Sequence, residues 1–169
     1  DSLSGFWGIP FGCSEPKAIE ILKSKGLSPI KGFLNDVKEL KTLEMDDANF
    51  GNRKSISISL LFANDKFCRA KVYYDTDSPH IVDDFNSVKK NLEVKYSETE
   101  TLSKFKQPYE KGDGHEETSI KLGYGELICG WFFYNKRNIL LSTKTLKSGV
   151  VLELCYQDDI IIKEAITLQ

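Results

Sequence analysis

The chain has 169 residues, 40% hydrophobic and 28% charged, with a formal charge of -2. That length and balance suit a domain with its own core and exclude a disordered polar chain. Lys and Arg are interspersed among Asp and Glu, so there is no basic stripe of the kind nucleic acid requires. Even the apolar run Leu127 to Tyr134 is strand-sized, far below the roughly 20 residues of a membrane-spanning helix.

Phe6-Trp7-Gly8-Ile9-Pro10-Phe11-Gly12 reads as a short extended stretch ending in a turn, punctuated by glycine and proline and anchored by aromatics. A helix follows. Ser14 suits its N-cap, Pro16 falls in the first turn where no N–H is needed, and Gly26 supplies the left-handed residue that ends it. Its apolar face is Ala18, Ile19, Ile21 and Leu22. Residues 31–49 are mixed and charged and predict a short strand or irregular connection.

Ile56, Ile58, Leu60 and Phe62 alternate with serines, Asn64-Asp65-Lys66 can turn, and Cys68, Ala70, Val72 and Tyr74 alternate with Phe67, Arg69, Lys71 and Tyr73. This predicts a hairpin with one buried face. Ser78-Pro79 opens a second helix whose face is Ile81, Phe85, Val88 and Leu92. Residues 96–117 are polar, with Pro108 and Gly112-Asp113-Gly114, and predict a mobile loop or a loop hiding a short strand. Strands are then expected at Ser119 to Leu122, Glu126 to Tyr134, Asn138 to Lys144 and Val150 to Tyr156. The order helix, hairpin, helix, meander predicts a single α+β domain over 1–169. Its antiparallel sheet is built from two helix-then-strands units, about 5–76 and 78–160, with the helices packed on one face.

Asp1 heads the chain and Met45 is the only methionine, so a removed signal peptide and export are expected. Cys13, Cys68, Cys129 and Cys155 form no CxxC pair, which argues against a zinc ribbon or thioredoxin-type motif. In an oxidising compartment one or two bridges can form; buried free thiols are the alternative. Alternation sets Cys68 on the core face and Cys155 opposite Leu152, Leu154 and Tyr156, so these two should not bridge.

A wider pattern also stands out. Gly5 to Gly12, a helix ending Lys23-Ser24-Lys25-Gly26-Leu27, a hairpin ending Val72-Tyr73-Tyr74, a helix ending Val94-Lys95-Tyr96-Ser97, and the late Leu154-Cys155-Tyr156-Gln157-Asp158 together resemble uncharacterised exported proteins of gram-negative gut bacteria. The resemblance implies a periplasmic or cell-surface location and brings no catalytic residues. The helix-then-sheet duplication also resembles the architecture of beta-lactamase inhibitory proteins, whose sheet binds another protein; that implies a fold, and a role only by analogy.

Candidate chemistry is thin. Asp113, His115 and Glu117 cluster in Gly112-Asp113-Gly114-His115-Glu116-Glu117, but the segment lacks the ladder of an EF-hand loop and the HExxH zinc pattern, so a solvated loop is the better reading. Cys13 precedes a helix N-terminus, and with His80 or His115 it would be the nucleophile of a small hydrolase; burial beside Phe11 or a bridge is the plainer account. No phosphate or dinucleotide motif exists, so no cofactor is expected. The pairs Asp46-Asp47, Asp83-Asp84 and Asp158-Asp159 diverge on any regular element and read as solvated charge.

The strongest signal is surplus apolar surface. On the strand from Leu127 to Tyr134, Leu127, Cys129, Trp131 and Phe133 take one face and Ile128, Phe132 and Tyr134 the other. Leu61, Phe67 and Tyr73 are expected on the non-core side of nearby strands. Either the sheet curls to bury both faces, or Phe67, Tyr73, Trp131, Phe132 and Phe133 form a surface for a protein, peptide or apolar ligand. The expected role is a non-enzymatic exported binding domain. The alternatives are a small hydrolase or metal-dependent enzyme using Cys13, His80 or His115, and a structural component of an envelope assembly.

Overall fold

A computed structural model describes residues 2–33, 39–76 and 80–167. The chain begins with a small hairpin of β1 (Gly5–Phe6) and β2 (Ile9–Pro10), whose turn residues Trp7 and Gly8 both take positive φ, 53° and 79°. Helix α1 (Glu15–Ser24) starts where expected: the Ser14 hydroxyl accepts from the Lys17 amide at 3.4 Å, and Gly26 closes the end at φ 78° while Leu27 N–H donates to the Leu22 carbonyl.

In the stretch predicted as a short strand or irregular connection, of which residues 34–38 lie outside the described residues, run β3 (Ile30–Phe33) and β4 (Leu40–Asp46), and a minor hairpin follows, β5 (Asn49–Phe50) with β6 (Arg53–Lys54). The predicted central hairpin is β7 (Ser57–Ala63) and β8 (Lys66–Asp75), turning at Asn64 and Asp65, both at positive φ. Helix α2 (Ile81–Tyr96) buries Ile81, Phe85 and Val88; the Ser78-Pro79 start lies outside the described residues. Between 96 and 117 runs a short strand, β9 (Leu102–Phe105).

The strand expected at Ser119 to Leu122 is instead part of helix α3 (Glu116–Lys121). Four residues are too few to separate the periods, and the acidic pair Glu116-Glu117, favourable at a helix N-terminus, carried the better signal. The chain ends with β10 (Gly125–Phe132), β11 (Arg137–Leu146), β12 (Gly149–Asp158) and helix α4 (Asp159–Thr167).

These strands make an antiparallel sheet of eight, in the order β3-β4-β7-β8-β12-β11-β10-β9. It consists of two meanders whose last strands, β8 and β12, pair at the centre, with Leu154 opposite Val72. Ala18 and Leu22 of α1, Phe85 and Val88 of α2 and Ile120 of α3 share one core with Val72, Leu154, Leu141 and Cys129 from one sheet face. Helix α4 is an element the sequence did not predict. It contacts β7, β8 and β11, and its first residue, Asp159, accepts from Asn138 and Gln157, whose side chains point away from that core.

Alternation also fails at one point in β8. Leu61 faces Arg69 but Phe62 faces Phe67, so Cys68 is an extra, bulged residue. The bulge returns Phe67 to the core, fully buried, where its ring stacks on Phe11 at 5.1 Å. Its N–H and carbonyl bond the Cys13 carbonyl and Gly12 N–H, both at 2.8 Å.

All four cysteines are free thiols. Burial pushes Cys68 and Cys155 up to about 11 and Cys129 to about 12, and raises Cys13 with a smaller contribution from the Asp65 charge. Because the thiolate is the reactive form, iodoacetamide at mildly alkaline pH should label the partly exposed Cys13 first and the other three only in denaturant, as peptide mass mapping would show. Labelling of Cys129 in the native state would contradict this packing.

Candidate functional site

The strand β10 sorts its side chains by face. Leu127, Cys129 and Trp131 point to the core; Ile128 and Phe132 point to the outer face, with Gly130 between them. Trp131 is therefore not a surface residue: its indole N–H donates to the Ser97 carbonyl at 2.8 Å and its ring lies 6.5 Å from Tyr96. Phe132 is 78% exposed. Gly130 makes that placement possible, since a Cβ there would meet Leu140 Cδ2 at 2.7 Å and Phe132 Cε2 at 3.1 Å, which shows both side chains lying over it.

Leu102 of β9 sits directly opposite Ile128 on the same outer face and is 62% exposed. Leu102, Ile128, Leu140 and Phe132 thus line up across three neighbouring strands. Sequence reading identified Ile128 and Phe132 but not Leu102 or Leu140, because only strand register brings them together.

Beyond Ile128 strand β9 no longer covers β10, and the Thr99 hydroxyl donates to the Gly130 carbonyl at 2.8 Å. A groove of about 430 Å3 runs here between residues 96–99 and 130–134. It gathers Trp131, Phe132 and Phe133, three of the five expected site residues, together with the exposed Tyr134. Phe133 is half-buried and meets Tyr96 edge-on at 5.8 Å.

The other two residues lie elsewhere. Phe67 is in the core by virtue of the bulge. Tyr73 is on the outer face, but the path from it runs through Glu153 and Ser142 before reaching β10 at Ile128, and Phe132 is a further four residues along. Its surroundings are polar: Lys71 lies 3.8 Å from Glu153, and Arg69 donates to Gln157 at 2.8 Å. Burial, then the Glu153 charge, push the Tyr73 phenol up to about 12. The middle of the outer face is a polar ladder, and its apolar part is confined to the β9–β11 end.

The groups considered for chemistry have structural employment. Asp113 accepts from the amides of Glu110 and His115 at 2.9 and 2.8 Å, which lowers its pKa. Glu117 accepts from the Val82 amide at 3.0 Å and so caps α2, whose own N-cap His80 makes no side-chain bond; burial raises its pKa. His80 and His115 are exposed at the starts of α2 and α3, and the Cys13 thiol is shifted up, away from a nucleophile's need. Among the described residues no group of three or more His, Cys, Asp or Glu could hold a metal ion, and no helix is long and apolar enough to cross a membrane. Asp158, read as solvated charge, is buried and ion-paired to Arg137 at 2.7 Å.

No protein-family model, curated protein or solved structure matches the chain.

Proposed function

We propose that this chain is an exported, non-enzymatic binding domain that takes an extended peptide segment of another protein into the groove beside β10. The observation that carries the reading is the pair Phe132 and Tyr134, 78% and 79% exposed, flanking a concavity at a sheet edge that β9 leaves uncovered. Thr99 already occupies the Gly130 carbonyl, so an added segment would find main-chain hydrogen bonds only beyond it and would rest apolar side chains on Phe132 and Tyr134. Exposed aromatics beside a groove are the usual anchors of such contacts. The same reading treats residues 5–76 and 78–160 as duplicated helix-then-strands units with their principal helices on one face, and puts the protein in the periplasm or at the cell surface.

A random peptide display library provides the test. Peptides enriched on the native chain should carry alternating apolar residues, protect the amides of residues 130–134 from exchange, and lose about tenfold or more in affinity against Phe132→Asp. Enrichment that survives Phe132→Asp together with Tyr134→Ser would defeat the proposal. Both side chains are exposed, so the variants should keep the fold.

A further inference from the structure

Tyr96 also borders a second concavity, of about 540 Å3, built from the opposite end of the chain. Its walls are aromatic: Trp7, Phe50, Tyr96 and Tyr156. Trp7 meets Phe50 edge-on at 5.8 Å, and Phe50 meets Tyr156 at 6.0 Å. Its volume lies within the range of small-molecule sites.

Two features of this groove exceed what folding requires. The first is Trp7 itself, which occupies a hairpin position at φ 53°. Asn or Gly closes such a turn without strain, whereas a bulky side chain there is strained. The second is charge. Lys25 and Lys95 both line the groove, with Nζ 5.6 Å from the Trp7 ring and 5.1 Å from the Tyr96 ring.

Each lysine stands at a helix C-terminus, which the helix dipole favours, but the dipole does not dictate that both face one aromatic concavity. Among the described residues neither has a carboxylate within 4.0 Å, and no acidic residue lines the groove, in a chain whose net charge is -2. Two ammonium groups over apolar walls complement a ligand that is flat and greasy at one end and anionic at the other.

We infer that this groove is a binding site for a small organic carboxylate carried on a flat aromatic or alicyclic body. The body lies against the continuous wall that Trp7, Phe50 and Tyr156 form, and the carboxylate sits between Lys25 and Lys95. This site shares Tyr96 with the peptide groove but does not include Phe132.

Naphthoate is a suitable probe, with neutral naphthamide as its isosteric control. The chain has two tryptophans, so heteronuclear NMR gives two indole N–H signals, and Trp7→Phe assigns them. Naphthoate should shift the Trp7 signal saturably and leave the buried Trp131 signal in place. Naphthamide, and naphthoate against Lys25→Gln/Lys95→Gln, should each bind about tenfold or more weakly, while Phe132→Ala should leave naphthoate affinity unchanged. Equal binding of acid and amide, unchanged affinity in the double variant, or a naphthoate response abolished by Phe132→Ala would each overturn the assignment. Near-ultraviolet circular dichroism of the lysine variants confirms that the fold is kept.

Discussion

Phe67→Ala is expected to lower folding stability by about 4 kcal/mol, the range for emptying a buried aromatic site. Phe67 is fully buried between Phe11, stacked at 5.1 Å, and Phe62 at 5.7 Å, and its backbone ties the N-terminal segment to β8. Truncation would open a cavity between two layers that cannot close, because Gly12 and Cys13 are held by the main chain of residue 67 itself. Phe132→Ala is the matched control: the same deletion on an exposed side chain should change stability by no more than about 0.5 kcal/mol. Urea denaturation of both variants measures the contrast. Near-equal effects would mean that β8 runs without its bulge and that Phe67 faces outward, as strict alternation predicts.

That contrast locates where the sequence could be read. Local chemistry was sufficient for α1, because Ser14, Pro16 and Gly26 each act within a few residues of where they stand. It was sufficient for the turn at Asn64-Asp65, and for sorting Ile58, Leu60, Val72 and Tyr74 into the core. It failed at Cys68, where one extra residue reverses the expected side of everything before it in β8, and nothing local marks the insertion. Helix α4 was missed although its start is marked locally by Asp158, which accepts from the Ile160 and Ile161 amides: the β-branched run Ile160-Ile161-Ile162 continues the pattern of β12 and hid that cap. The candidate site was half visible. Strand β10 announced two apolar faces, and the structure gives Trp131 to the core and leaves Phe132 in solvent, but Leu102 and Leu140 joined it only through register.

The arrangement around Asp158 is where the largest polar effect is expected. One carboxylate oxygen accepts from the amides of Ile160 and Ile161, both at 3.0 Å, and so caps α4. The other accepts from Arg137 Nε at 2.7 Å, and that guanidinium in turn donates to the Leu3 carbonyl at 2.8 Å and lies 5.1 Å from the Phe11 ring. Asp158→Ala would leave a largely desolvated arginine without its counter-charge and α4 without its cap, a loss of about 4 kcal/mol. Asp158→Asn keeps an acceptor for the helix but not the charge, so it should lose less. In the double variant with Arg137→Met the unpaired charge is gone, and a double-mutant cycle should return a coupling energy of at least about 1 kcal/mol. Amide exchange adds a spatial check: in Asp158→Ala, protection should fall first at residues 160–163 and then in the N-terminal segment that Arg137 anchors. Strictly additive single losses would show that the two side chains act separately, and that α4 is held by its packing against β7, β8 and β11 alone.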